Sequence, residues 1–151
     1  MSEHKATLAW KRTTPDFQYK TFDRTHSVKF AGGAEIKASS APEYLGKKEL
    51  INPEDAFVFS LSSCHLLTFL AIAAMSNFIV DEYEDEATAF LEKNGQGKMA
   101  ITKVYLKPKI KFSGANIPDA DKLKKLHEKA HKECFIANSV LSEIIVEPSP
   151  S

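Results

Sequence analysis

Apolar residues recur at every second position in Ala6, Leu8 and Trp10, which predicts a first short strand. Thr13-Thr14-Pro15-Asp16 reads as a turn. A second strand is predicted from Tyr19 to Ala31, with Phe22, Arg24, His26, Val28 and Phe30 on one face. Gly32-Gly33 supplies a hairpin turn, and Ala34, Ile36 and Ala38 form one face of a third strand. Ser40 to Leu50, with Pro42 and Gly46, reads as a loop.

The pattern then changes. Asn52 is a good N-cap, Pro53 suits the first helical position, and Glu54 and Asp55 suit the first turn. A long helix is predicted to run to about Asn77. The stretch from Ala56 to Met75 is of membrane-spanning length, but Ser60, Ser62, Ser63, His65 and Thr68 interrupt it and no Lys or Arg anchors either end. It reads as a buried core helix, with no membrane partner. Because it is apolar nearly all round, it has to be enclosed on most sides, and a symmetric second copy achieves that; a homodimer is expected.

Alternation returns from Ile79 to Lys93 and, after the Asn94-Gly95-Gln96-Gly97 turn, from Met99 to Phe112. Lys103, Lys107, Lys109 and Lys111 share the second stretch's polar face, and Glu82, Glu84 and Glu86 are positioned to pair across to them. A second helix starts near Pro118-Asp119, with Leu123, Leu126, His127, Ala130 and Cys134 on one face. Helical character restarts at Ala137-Asn138-Ser139, and Glu143 to Glu147 forms a last strand before Pro148. The order of strands, helix, strands, helix and strand predicts an α+β fold in a single domain over residues 1–151.

The 151 residues carry 20 basic and 20 acidic side chains, a balance that argues against a nucleic-acid partner. Apolar residues at 43% and charged residues at 26% describe an ordinary folded protein. Met-Ser-Glu-His-Lys opens the chain with no apolar run behind it, so a cytoplasmic location is expected. Two cysteines are too few for a disulfide scaffold, which turns attention to thiol chemistry.

Cys64 and Cys134 both sit on apolar helix faces. Each alone reads as a small buried hydrophobe. Pointing inward, the two are able to meet, and a meeting pair in a reducing compartment reads as redox chemistry. Cys64 is too far from its helix N-terminus to gain thiolate character from the dipole. A cation would have to lower its pKa, and Arg24, on an apolar strand face, is the candidate. The alternative for Arg24 is an edge position whose side chain snorkels into water. A competing set is His127, His131 and Cys134, at i, i+4 and i+7, with Cys64 or His65 as a fourth zinc ligand. This second reading is a metal- or small-ligand-binding stress protein without peroxidase activity; a third makes the chain a dimeric module with inert cysteines. His26, His65 and His131 read as hydrogen-bonded neighbours rather than proton carriers.

Asn52-Pro53-Glu54-Asp55-Ala56, Leu61-Ser62-Ser63-Cys64-His65, Ala130 to Ser139 and the Arg24-Thr25-His26 strand together resemble the OsmC/Ohr family of thiol peroxidases. The resemblance implies an intertwined homodimer, with antiparallel sheets wrapped around long central helices. It implies that Cys64 is the peroxidatic cysteine, Cys134 the resolving one, Glu54 the catalytic glutamate and Arg24 the arginine. The implied activity is reduction of organic hydroperoxides in oxidative stress defence, with turnover by an external thiol or lipoyl reductant and no cofactor or metal. Ten helical residues separate Glu54 from Cys64 by about 15 Å. Either the helix start bends or Glu54 reaches the Cys64 of a second subunit, and the second is expected.

Overall fold

The computed structural model describes residues 1–149; the last two residues of the expected single domain lie outside the described residues. Backbone contacts group the chain into two compact units, Met1–Ala56 and Phe57–Ser151.

The first unit is built on a three-stranded antiparallel sheet of β1 (Ala6–Ala9), β2 (His26–Phe30) and β3 (Glu35–Ala38), in that order. The Gly32-Gly33 turn forms as predicted: Gly33 adopts φ +91°, and the amide of Phe30 donates to the carbonyl of Ala34 at 2.9 Å. The second strand is much shorter than expected. Residues 19–25 leave the ladder because local bonds claim their backbone. The amides of Thr21 and Phe22 donate to the Gln18 carbonyl, and Asp23 Oδ1 accepts both the amide and the hydroxyl of Thr25, at 2.8 and 2.6 Å. The Ser40–Leu50 loop contains one 3-10 turn at Pro42–Tyr44. It is tied back to β3 by a parallel bridge between Ala38 and Ile51.

Helix α1 (Pro53–Met75) starts where the cap residues place it: Asn52 Oδ1 accepts the Asp55 amide at 2.8 Å. It runs unbroken over its 23 residues. It ends in a Schellman turn, with Asn77 at φ +59° and the Phe78 amide donating to the Ala73 carbonyl.

In the second unit the two long alternating stretches each break in two, into β4 (Ile79–Asp85), β5 (Thr88–Lys93), β6 (Met99–Leu106) and β7 (Pro108–Ser113). β4 pairs with β7, and β5 with β6, both antiparallel. The break before Pro108 has a simple cause, since proline has no amide to give a ladder. Asp85 staples that corner, accepting the Lys107 amide at 2.6 Å and the Ser62 hydroxyl at 2.5 Å. The expected Glu–Lys pairing holds for Glu82 with Lys111, at 2.9 Å, and Glu84 stands opposite Lys109; Glu86 falls between strands. β8 (Glu143–Val146) joins β6 in parallel.

Helix α2 (Ala120–Glu133) is capped by Asp119, whose carboxylate accepts the Lys122 amide at 2.7 Å. It stops at Cys134, and a 3-10 turn at Ala137–Ser139 follows, as the sequence suggested.

Two apolar clusters fill this unit. Phe69, Ile72 and Ala73 of α1 pack with Phe78, Ile110, Leu126 and Ala130. Leu61 packs with Val104, Leu106 and partly buried Ile136. Cys64 and His65 lie on α1 between the residues that feed the two clusters. The expected enclosure of α1 is only partly met within one chain. The helix is long and apolar enough to cross a membrane, yet 28% of its most apolar stretch is buried. Phe59, Leu67 and Met75 are 65%, 62% and 74% exposed.

Candidate functional site

The inward-facing cysteines do meet. Both are free thiols, Cys64 half-buried on α1 and Cys134 buried at the residue that ends α2. The chain turns there because Cys134 is extended, with φ −72° and ψ 112°, while its amide still donates to the His131 carbonyl, 3.3 Å away. The amides after it therefore leave the helical ladder. That of Ala137 donates to Cys134 Sγ at 3.4 Å.

The two thiols are polarised in opposite directions. Burial pushes the Cys64 thiol up, but this is outweighed by hydrogen bonds from the Cys134 thiol and from the backbone amides of Ile136 and Phe135, so its pKa lies below the ordinary 9.0. Thr68 stands beside it, its hydroxyl donating to the Cys64 carbonyl at 2.8 Å. The Cys134 thiol is pushed up to about 11, by burial first and by the hydrogen bond to Cys64 second. Cys64 is thus the more acidic thiol of the two and Cys134 the one that holds its proton. The groups that lower the Cys64 value are uncharged S–H, N–H and O–H donors, the last from Thr68.

The residue after Cys64 belongs to a buried histidine pair. His65 Nε2 and His127 Nδ1 are 3.0 Å apart, with the rings parallel to within 6°. They are 1% and 3% exposed, and Phe69 stacks on His127 at 4.4 Å. His65 Nδ1, His127 Nε2 and His131 Nδ1 are buried with no partner. Burial brings both paired histidines down to about 4, and the neighbouring His127 and His131 add to the effect at His65. Both are neutral at pH 7.

This arrangement corrects the zinc alternative. Among the described residues no three His, Cys, Asp or Glu side chains converge on a metal position. His127 spends its Nδ1 on His65, and Cys134 turns to Cys64.

Arg24 lies in the first unit, two residues before β2 begins, so the strand-face argument for it fails. Its guanidinium donates to the carbonyls of Phe22 and Tyr19, at 3.1 and 2.7 Å, and lies 3.9 Å from the centre of the Phe22 ring. It lines a concavity of about 670 Å³ walled by Trp10, Phe17, Tyr19, Phe22 and Tyr44. His26 Nδ1 is bonded to the Arg24 carbonyl at 2.9 Å, a hydrogen-bonded neighbour as expected. Nearby, Asp23 is held down to about 2 by the Thr25 hydroxyl and amide and then by Lys47. Glu54 stands in the first turn of α1 with Oε2 buried and unpartnered.

A family model described as OsmC-like protein matches residues 46–149. The chain belongs to the OsmC-like family. Among solved structures it is similar to an OsmC-like protein of unknown function from Vibrio cholerae, 44% identical, covering 99% of this chain and 100% of that one, with a TM-score of 0.96. It shares its fold with an organic hydroperoxide resistance protein from Elizabethkingia anophelis, 21% identical over 100% of this chain and 96% of that one, TM-score 0.72. It also shares it with the organic hydroperoxide resistance protein of Bacillus subtilis, 19% identical over 99% and 98%, TM-score 0.69. No curated protein matches by sequence.

Two features of this OsmC-like chain escape sequence reasoning. One is the amide donors of Phe135 and Ile136, whose only sequence sign is the helix restart just after Cys134. The other is the pairing of His127 with His65. His127 does stand out as a polar residue on an apolar helix face, but its partner is 62 residues away.

Proposed function

We propose that this OsmC-like protein is a two-cysteine hydroperoxide reductase serving oxidative stress defence in a reducing, cytoplasmic setting. The observation that carries the reading is the opposite polarisation of two thiols in contact, Cys64 towards thiolate and Cys134 towards thiol. The shared fold of two organic hydroperoxide resistance proteins, from Elizabethkingia anophelis and Bacillus subtilis, supports it.

The Cys64 thiolate attacks the outer oxygen of ROOH. The O–O bond breaks, its electron pair leaves on RO⁻, and Cys64 becomes a sulfenic acid. The alkoxide takes the Cys134 S–H proton and departs as ROH. The resulting Cys134 thiolate attacks the Cys64 sulfur, hydroxide leaves, and a disulfide forms. An external thiol or lipoyl dithiol restores both thiols by exchange. Arg24 stabilises the negative charge that develops on oxygen, and Glu54 orients the guanidinium through its unpartnered oxygen.

The active form is a homodimer. The exposed Phe59, Leu67 and Met75 on α1 call for a second copy, which supplies Arg24 and Glu54 to the facing thiols. The unbroken α1 supports this, since a straight helix keeps Glu54 about 15 Å along the axis from the Cys64 of its own chain.

The test is a thiol count before and after one equivalent of cumene hydroperoxide. The wild-type chain is expected to lose both thiols and Cys64→Ser none. If the wild-type protein keeps both thiols, the reading is wrong.

A further inference from the structure

Helix α1 carries Cys64 and α2 ends at Cys134; apart from the contact of the two thiols, one hydrogen bond among the described residues joins the two helices, that between His65 and His127. The two helices also share one apolar cluster, Phe69, Ile72 and Ala73 of α1 with Leu126 and Ala130 of α2, and Phe69 stacks on His127. Apolar packing holds two helices together but tolerates small slides and rotations, whereas a buried hydrogen bond at 3.0 Å does not. The pair stands where such a constraint matters. His65 follows Cys64 directly on α1, and His127 lies two turns before Cys134 on α2. The pair comes at a cost: the two outer ring nitrogens, His65 Nδ1 and His127 Nε2, are buried without partners. Two apolar residues would avoid that cost, so stability alone does not explain two histidines here.

We propose that His65 and His127 are positioning residues that set the register of α2 on α1, and thereby the contact between Cys134 and Cys64. A neutral imidazole suits this task, since one ring donates its N–H and the other accepts on its bare nitrogen. Phe69, stacked on His127, fixes the ring plane. The amides of Phe135 and Ile136 follow Cys134 in the chain, so a shift of α2 displaces the Cys64 donors and the resolving thiol together. The inference deepens the dithiol reading above and rests on it for its biological meaning.

The experiment uses diamide, a thiol-selective azo oxidant, to drive Cys64–Cys134 disulfide formation, so it needs no peroxide chemistry. His127→Phe keeps the ring stack and removes both nitrogens. Its expected effect, in protein that stays folded by circular dichroism, is at least tenfold slower disulfide formation. The pH midpoint for Cys64 alkylation by iodoacetamide should also rise towards that of a free cysteine. His127→Asn restores a side-chain amide that can donate to or accept from His65 Nε2, and should recover most of both losses. A folded His127→Phe protein within twofold of wild type on both readings overturns the proposal, as does a His127→Asn protein no better than His127→Phe. His65→Leu breaks the same bond from α1 and decides the matter in the same way if His127→Phe does not fold. If peroxide consumes no thiols but these rates shift as stated, the peroxidase reading fails and the positioning role stands.

Discussion

Around Cys64 and Cys134 the polar contacts are internal to the unit and the supporting side chains are buried: the amides of residues 135–137, the histidine pair, and the Leu61 and Phe69 clusters. Around Arg24 the reverse holds. Trp10, Phe17 and Tyr19 are exposed, and the guanidinium satisfies itself on two carbonyls of its own loop and on the Phe22 face. The first region polarises its thiols with groups that one chain supplies. The second presents aromatic surface outward, an arrangement that is costly to leave in water and that suits a surface meant to be covered. A dithiol can be made ready by the packing of its own unit alone.

The largest expected effect separates these roles. Arg24→Met keeps the length and apolar stem but removes the charge. On the proposed mechanism it lowers the peroxide rate by about 10²-fold, the usual cost of one transition-state donor. Diamide-driven disulfide formation should be nearly unchanged, and stopped-flow comparison of the two oxidants reads the difference. Equal losses with both oxidants would mean that Arg24 acts on the fold.

Next is the uncovered helix face. Leu67→Arg places a charge at the middle of α1 and should convert a dimer to monomers in analytical ultracentrifugation, with loss of peroxide turnover. A wild-type protein that sediments as a monomer would remove the basis for a shared site.

Acid should act on the buried region and spare the exposed one. His65 and His127 titrate near 4 in the folded chain, against an ordinary value of 6.5. Their unfolded forms therefore bind protons that the folded forms refuse. Stability is complete above about pH 6.5 and is lost as pH falls from there towards 4. Thermal melts should show Tm falling over that window, with the slope reduced in His127→Phe. A melt flat between pH 7 and 4.5 would place the two rings in water.

The smallest effect belongs to Lys111 and Glu82, a pair 2.9 Å apart whose side chains are mostly exposed. Lys111→Ala should leave Tm and turnover unchanged within error, because water and salt screen such a pair.

Much of the architecture is legible from local chemistry. Asn52 and Asp119 cap their helices, and Gly33 and Gly97 adopt the positive φ their turns need. The inward orientation of both cysteines follows from helix periodicity. Periodicity misleads where local hydrogen bonds compete with a ladder: the turns at Gln18 and Asp23 end a strand that alternation alone would prolong through Arg24. It also runs two strands together across Lys107-Pro108, because the step of two continues through a corner that Asp85 staples.

The chain's order of apolar, cap and turn residues was enough to establish an α+β fold, the two helices and the inward aim of both thiols, since each depends on neighbours within a turn or a pleat. The contact between Cys64 and Cys134, the donation from Phe135 and Ile136, the His65–His127 bond and the failure of the zinc set were settled only by folding. Each joins groups on separate elements, up to 72 residues apart, and no local spacing encodes how one helix is seated on another.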